Sequence, residues 1–510
     1  MDPEAESDWK RHARAEASGS YSLATADTGD VPVRLFLSER LLQEAEPTLY
    51  RQIVAATRFP GTRCVVVTPD VHFGYGVPVG CVIATDRREG AVALGPVGFD
   101  IGCGMISARS SVPAEAATYD RKLAFNREVM ERVSLGAGGK SLALGTLTEK
   151  RLMQLVRGGA EAYEKLYGTR VDRTRSERQA FPVSDAWEPP WGGRGHPERG
   201  LDQLGSLGGG NHFIELQSGT PPNVNPWDVR AGTLHVQVHT GSRGFGHGLA
   251  TNYFDKAREE RPELGSNIDL GYFTPDSPHY EGYLNAVAAG ANFAIINRLI
   301  LFEQVAAAFR RVFRSDLELV YEISHNLVQA EEHPEFGHVW VHRKGATRAL
   351  PAAHPALRGT PFFAEGHPVL VPGSNKDESY ILRPLPGAEQ SLFSVNHGAG
   401  RRLSRGQASR TLDQRHVDES YRHAGILVNE DGRVPLDESG ACYKPASDVI
   451  QAVVDAGLAR VETRLWPLAS LKGLEGGFRK QKAERRARAK SKDKRRDAER
   501  QEARRRKGHR

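Results

Sequence analysis

Cysteine is scarce. The 510 residues hold four, Cys64, Cys81, Cys103 and Cys442, with no CxxC pair among them. That argues against a disulfide framework and fits a reducing compartment. Long hydrophobic runs are also missing: nothing approaches the ~20 consecutive apolar residues that span a bilayer, and no apolar core follows the opening "MDPEAESDWKRHARAEASGS". The expectation is a soluble cytoplasmic protein with no membrane association. No internal repeat is visible, so the fold is not built by repetition, and strands do not alternate regularly with helices. Net positive charge is missing from the body as well. Residues 479–510 hold 17 Lys/Arg against 5 Asp/Glu, a net +12, so the formal +6 of the whole chain leaves −6 for the rest.

Glycine is plentiful, at 53 residues, which predicts many tight turns and close backbone approaches. Short β-rich runs recur at 63–69, 79–85, 233–239, 317–323, 338–343 and 391–397, each followed by a polar or glycine turn. Helical spacing covers about 121–135, about 148–166 and a long stretch near 281–314. The pattern predicts an α+β chain: one large mixed α/β domain over 31–475, preceded by residues 1–30 without an assignable element. Within it, 169–200, rich in Arg, Pro and Gly, reads as a surface insertion. The basic stretch 476–510 has almost no apolar face, so it reads as a solvated tail suited to tethering nucleic acid.

The chemistry gathers where strand-like runs end. "GFDIGCGM" (98–105) sets Asp100 and Cys103 three apart across a glycine, so one loop can aim a carboxylate and a thiolate at a common point. His212 closes "GSLGGGNH", His239 ends a strand, and His325 follows another. Any one of these is most simply a structural side chain. Together they give five ligand-grade groups that fit one or two transition-metal ions. Thiolate with imidazole suggests a closed zinc site, whereas carboxylate with imidazole suits Mn²⁺ or Fe²⁺ in an open one; from donor chemistry alone zinc is the expectation.

Other loops look built for phosphate. "GSLGGGN" and "HTGSRGFG" offer unobstructed backbone N–H groups, and Arg243 adds a forked cation. "NHGAGRR" places His397 before two glycines and the Arg401–Arg402 pair. His397 has three open roles: metal ligand, general acid or base, or nucleophile toward a nucleotide phosphate.

The motifs "PDVHFGYGVPVG", "GFDIGCGM", "GSLGGGNHFIEL", "HTGSRGFGH", "SHNLVQAEEH", "RKGA", "PGS", "NHGAGR" and "LKG" occur in one order from about residue 30 to 473. In that joint pattern the chain resembles the RtcB-type RNA-splicing ligases. The resemblance implies a GTP-dependent ligase that joins an RNA 2′,3′-cyclic phosphate or 3′-phosphate end to a 5′-hydroxyl end, in RNA repair or tRNA splicing. It implies that Cys103 bridges two Mn²⁺ ions, with Asp100 and His212 completing one set of ligands and His239 and His325 the other, which replaces zinc by manganese. It further implies that His397 carries the guanylate. Asn211, Asn326, Ser374, Gly398, Ala399 and Gly400 would contact that guanylate, and Tyr443 and Lys472 would hold the base. Arg243 and Arg401 are expected to meet RNA phosphate, and the protein is expected to act as a monomer. The same motifs would serve a paralogue that caps 3′-phosphate ends of RNA or DNA without joining them. A non-catalytic RNA-binding protein with a relic site is disfavoured, because every ligand position and His397 are retained.

Overall fold

The computed structural model describes residues 6, 8–169, 171–221, 225–265 and 267–473; the basic tail expected at 476–510 lies outside them. Two sheets lie at the centre. The first has seven strands in the order Ala13–Ala15, Tyr21–Leu23, Val33–Leu35, Thr62–His72, Val79–Asp86, Gly337–Lys344 and Asn326–His333. The second runs Glu318–Ser324, Gly104–Pro113, Thr233–Thr240, Phe213–Thr220, Ala459–Lys472, Ser379–Pro384 and Val369–Val371, with Leu427–Val428 added parallel to Ala459–Lys472.

Strand alternation sorts the side chains into layers. Cys64, Val66, Val82 and Ala84 of the first sheet share a core with Met105, Ile323, Ile381 and Leu465 of the second. On the other face of the first sheet, Val65, Val67, Cys81 and Ile83 meet the helices Glu39–Glu44 and Leu49–Thr57. On the far side of the second, Ile106, Ala108, Val236 and Val238 pack under the helices Tyr119–Arg132, Glu149–Tyr167, Arg243–Glu260 and Tyr280–Phe313. The result is a mixed α/β domain in four layers, helices outside and sheets within.

The 34-residue helix Tyr280–Phe313 is long and apolar enough to cross a membrane by composition, yet 89% of its apolar window is buried inside the protein. It is the spine of the helical layer. Its polar residues Asn292, Asn297 and Arg298 are fully buried, so each must find partners within the fold.

Three expectations change. Residues 1–30 are not without structure: Trp9 is 1% exposed, and Ala13–Ala15 and Tyr21–Leu23 extend the first sheet. Strands of three residues are too short to show a period. The run 391–397 is extended only over Ser394–Asn396, because Pro386–Ser391 forms a 3₁₀ turn and Leu392 and Phe393 take positive φ. The segment 169–200, read as a surface insertion, holds only the short 3₁₀ turns Arg173–Arg175 and Pro197–Arg199 over its described residues 171–199, and it is pinned inward. Glu177 N–H donates to Glu322 O at 2.8 Å, the Glu177 carboxylate meets the buried Arg348 at 3.0 Å, and Phe181 N–H donates to Asn292 Oδ1 at 2.6 Å.

Candidate functional site

Pairing register brings the ligand loops to one edge of the second sheet. Gly104 pairs with Thr240 and Ser324, Met105 and Phe213 both pair with His239, and Lys472 pairs with Phe213. Cys103, His212, His239 and His325 therefore project from neighbouring strand ends. The spine helix holds these loops from behind. Asn297 Oδ1 accepts from Gly205 N–H at 2.7 Å and its Nδ2 donates to Gly241 O at 3.0 Å. Arg298 donates to Gly102 O at 2.6 Å, Thr240 O at 3.1 Å and Ser324 Oγ at 2.8 Å, and it pairs with the buried Glu322. Gly102 has to be glycine here: its φ is +73°, and a Cβ would lie 2.8 Å from Ala291 Cα on that helix.

Five side chains meet in two trios that share one thiol. Asp100, Cys103 and His212 form one, Cys103, His239 and His325 the other, and within each the donor atoms lie within 4.8 Å of one another. Cys103 Sγ is 3.4 Å from His212 Nε2 and 3.2 Å from His239 Nε2, and His239 Nε2 is 3.2 Å from His325 Nε2. The tautomers are fixed from outside: His212 Nδ1 bonds Leu207 O and His239 Nδ1 bonds Asn211 O, both at 3.1 Å. Each ring thus turns its Nε2 inward. His212 Nε2 faces Asp100 Oδ2 at 3.0 Å. Sulfur, nitrogen and oxygen donors at these spacings fit a transition metal. Burial, reinforced by Asp100, pushes the Cys103 thiol well up, and burial drives His239 and His325 well down toward neutral imidazole. Burial works against the charged Asp100 carboxylate too, but His212 and Arg243 outweigh it and the net shift is downward.

Beside the trios opens a cavity of about 400 Å³. Asn211, Asn326, Ser374, His397, Gly398, Ala399, Gly400, Tyr443 and Lys472 all line it, together with His239, His325 and Arg401. His397 stands edge-on to His325, with ring centroids 4.9 Å apart. Its orientation is set by a residue that sequence reasoning passed over. Asp70 is fully buried at the end of the strand Thr62–His72, and its Oδ2 accepts from His397 Nδ1 at 2.7 Å, His397 N–H at 3.1 Å and Gly398 N–H at 3.3 Å. Burial would raise the Asp70 carboxyl, yet the His397 contacts and Thr68 hold it below its usual value. With Nδ1 turned to the carboxylate, Nε2 is the ring nitrogen left for chemistry. Asp70 sits inside the quoted motif "PDVHFGYG", which was the available signal.

Glu438 is a second organiser unseen in the sequence. Its buried carboxylate receives Tyr443 Oη at 2.7 Å, Lys472 Nζ at 3.0 Å, and Arg401 and Arg405 each at 3.2 Å. Arg401 also donates to Asp437 O at 2.6 Å, so it braces the cavity wall. Arg243 likewise turns into the protein. It donates to Ser206 Oγ at 3.2 Å, Gly136 O at 3.1 Å and Ala137 O at 3.3 Å, and burial pushes it down to about 10. Both arginines, expected to meet RNA phosphate, make these bonds to the protein's own loops.

Comparison with known proteins converges on the same span. The family model for tRNA-splicing ligase RtcB matches residues 52–473. RNA-splicing ligase RtcB of Mycobacterium bovis (strain ATCC BAA-935 / AF2122/97) is 36% identical over 446 residues, covering 83% of this chain and 100% of that protein. The tRNA-splicing ligase RtcB of Pyrobaculum aerophilum is 35% identical over 468 residues, and that of Thermococcus kodakarensis 33% over 463, each covering 87% of this chain and 95% of the relative. The matched span contains both ligand trios, the His397 cavity and the edge that unites them, and this chain belongs to the RtcB family of RNA-splicing ligases.

Proposed function

We propose that the chain is a GTP- and manganese-dependent RNA ligase that joins 2′,3′-cyclic phosphate or 3′-phosphate ends to 5′-hydroxyl ends through a guanylate carried on His397. The observation that carries this reading is His397 itself: an imidazole oriented by a buried carboxylate, in the wall of a nucleotide-sized cavity, against a ligand of the metal-capable cluster. His397 Nε2 would attack the α-phosphorus of GTP and release pyrophosphate, with Asp70 holding the ring and balancing its developing positive charge. A 2′,3′-cyclic phosphate end would first be opened by water at the P–O2′ bond to give a 3′-phosphate and a 2′-hydroxyl, and His397 would then pass the guanylate to the RNA 3′-phosphate, regaining its lone pair. The 5′-hydroxyl would displace GMP from that activated phosphate, closing the new phosphodiester. Manganese, held by Asp100, Cys103, His212, His239 and His325, would neutralise phosphoryl charge and lower the pKa of a bound hydroxyl or water. Tyr443, Lys472, Asn211, Asn326, Ser374 and the Gly398–Gly400 turn would seat the guanylate.

The deciding experiment mixes protein, GTP, Mn²⁺ and matched RNA or DNA ends and resolves the products. Joined RNA supports ligation. Accumulated 3′-guanylylated ends without joining would replace ligation by capping, and activation by zinc alone would overturn the choice of manganese.

A further inference from the structure

Tyr75 is, at 70%, the most exposed large hydrophobic side chain among the described residues, and it lines the His397 cavity. Two positions earlier, Phe73 is 53% exposed. Single exposed aromatics need no explanation. A pair on a loop that is otherwise clamped does. Gln52, itself buried, bonds both the N–H and the C=O of Gly74. Lys344, buried at the strand end before Gly345, donates to the carbonyls of Tyr75 and Val77. Gly76 takes a φ of +69° and packs so closely on Asp269 that a Cβ would lie 2.6 Å from its carbonyl oxygen. The backbone is held at every step while the two rings are held out, and the adjoining wall adds Phe99, stacked at 5.2 Å on the exposed ring of His247.

Resting on the ligase reading above, we propose that Phe73 and Tyr75 form a preorganised stacking platform for unpaired nucleobases next to the RNA ends being joined. The occupant follows from position: Tyr75 lines the cavity that holds His397, so a polynucleotide end brought to His397 lies beside this rim. Aromatic faces on a rigid loop accept any base, which suits an enzyme whose chemistry is confined to phosphate and hydroxyl. Rigid presentation also spares the ordering cost that a mobile loop would add on binding.

The test uses full-length protein and oligonucleotides carrying 2-aminopurine at the nucleotides flanking the reacting ends, read by fluorescence quenching, which does not require joining. Phe73→Ala/Tyr75→Ala should weaken binding about tenfold or more and raise the RNA KM similarly. Phe73→Tyr and Tyr75→Phe should restore both. Abasic nucleotides at the same positions should weaken wild type and leave wild type and the double alanine variant alike. Equal binding and quenching by wild type and alanine variant would overturn the platform, and so would an alanine defect that persists undiminished on abasic substrate, which would make the rings props for the loop. Failure of the ligase reading registers separately, as absence of a GTP-derived adduct in wild type.

Discussion

Cys103 is one thiol shared by two ligand sets, so its removal should cost both. If the two trios hold manganese as proposed, Cys103→Ala should lose most of it by elemental analysis after desalting. Cys64→Ala and Cys81→Ala, whose thiols face apolar cores on either side of the first sheet, should retain it. Equal metal content in all three variants would contradict the shared-thiol arrangement. Glu215 offers a second test. It is 2% exposed on the cavity wall, and burial pushes its carboxyl up to about 7 against the lowering influence of Gln217 and Lys472; the phenol of Tyr421 also lies within its field. The folded value lies above the ordinary 4.5, so the folded state binds the extra proton between the two. That contribution is therefore full below the unfolded value and is lost as pH rises through about 7. Without metal or nucleotide, the melting temperature of Glu215→Gln relative to wild type should rise between about pH 5 and pH 8; a constant difference would show that Glu215 does not titrate there. The gathering of Asp100, Cys103, His212, His239 and His325 was legible in the sequence because glycine and histidine seldom meet at so many strand ends. Asp70, Glu215 and Glu438 were not, because a carboxylate acquires its role from partners far away in the chain: Asp70 meets His397 across 327 positions.

Among the elements, the spine helix Tyr280–Phe313 turns separate loops into one site. Its apolar spacing was readable, but the use of its buried polar residues was not. Arg298→Met removes the partner of a fully buried Glu322 and should cost about 3–5 kcal/mol by urea denaturation. Adding Glu322→Leu should recover much of that stability, since a well-packed apolar pair can replace a buried ion pair. Metal affinity should stay about 10–100-fold weaker in both variants, because Gly102 O, Thr240 O and Ser324 Oγ lose their common donor. Full metal affinity in the stabilised double variant would contradict this bracing role. The strand Ala459–Lys472 shows a different limit of sequence reading. Pro467 would ordinarily demote such a run to an edge, yet it sits inside a 14-residue strand where the ladder shifts register between Pro467 and Ala469.

Across the whole molecule, an acidic body of net −6 carries a basic stretch of net +12 over residues 479–510. If that stretch tethers RNA, affinity for single-stranded RNA should fall with salt at a log–log slope of about −0.7 per phosphate neutralised. Deleting residues 478–510 should flatten the slope and raise the RNA KM, while the rate of guanylate attachment to His397 should not change. The same slope for truncated and full-length protein would remove the tethering role. The four-layer architecture was only partly legible for a related reason. The number of sheets follows from which strand ends pair across hundreds of residues, and local periodicity does not record that. The N-terminal strands and the inward anchoring of 169–200 belong to the same class of long-range fact.

The most direct measurement is of the covalent state of His397. Protein incubated with Mn²⁺ and GTP labelled at the α-phosphate should acquire a GMP adduct that survives denaturation and base, is lost in acid, and maps by peptide mass to His397 as a phosphoramidate. His397→Ala should acquire none, yet should still join RNA already bearing a 3′-diphosphoguanosine end, since only the first two steps use the imidazole. Label on another residue, or a His397→Ala protein that is folded but unable to join the preactivated RNA, would contradict the assignment of His397 as nucleophile and leave it a metal or structural histidine.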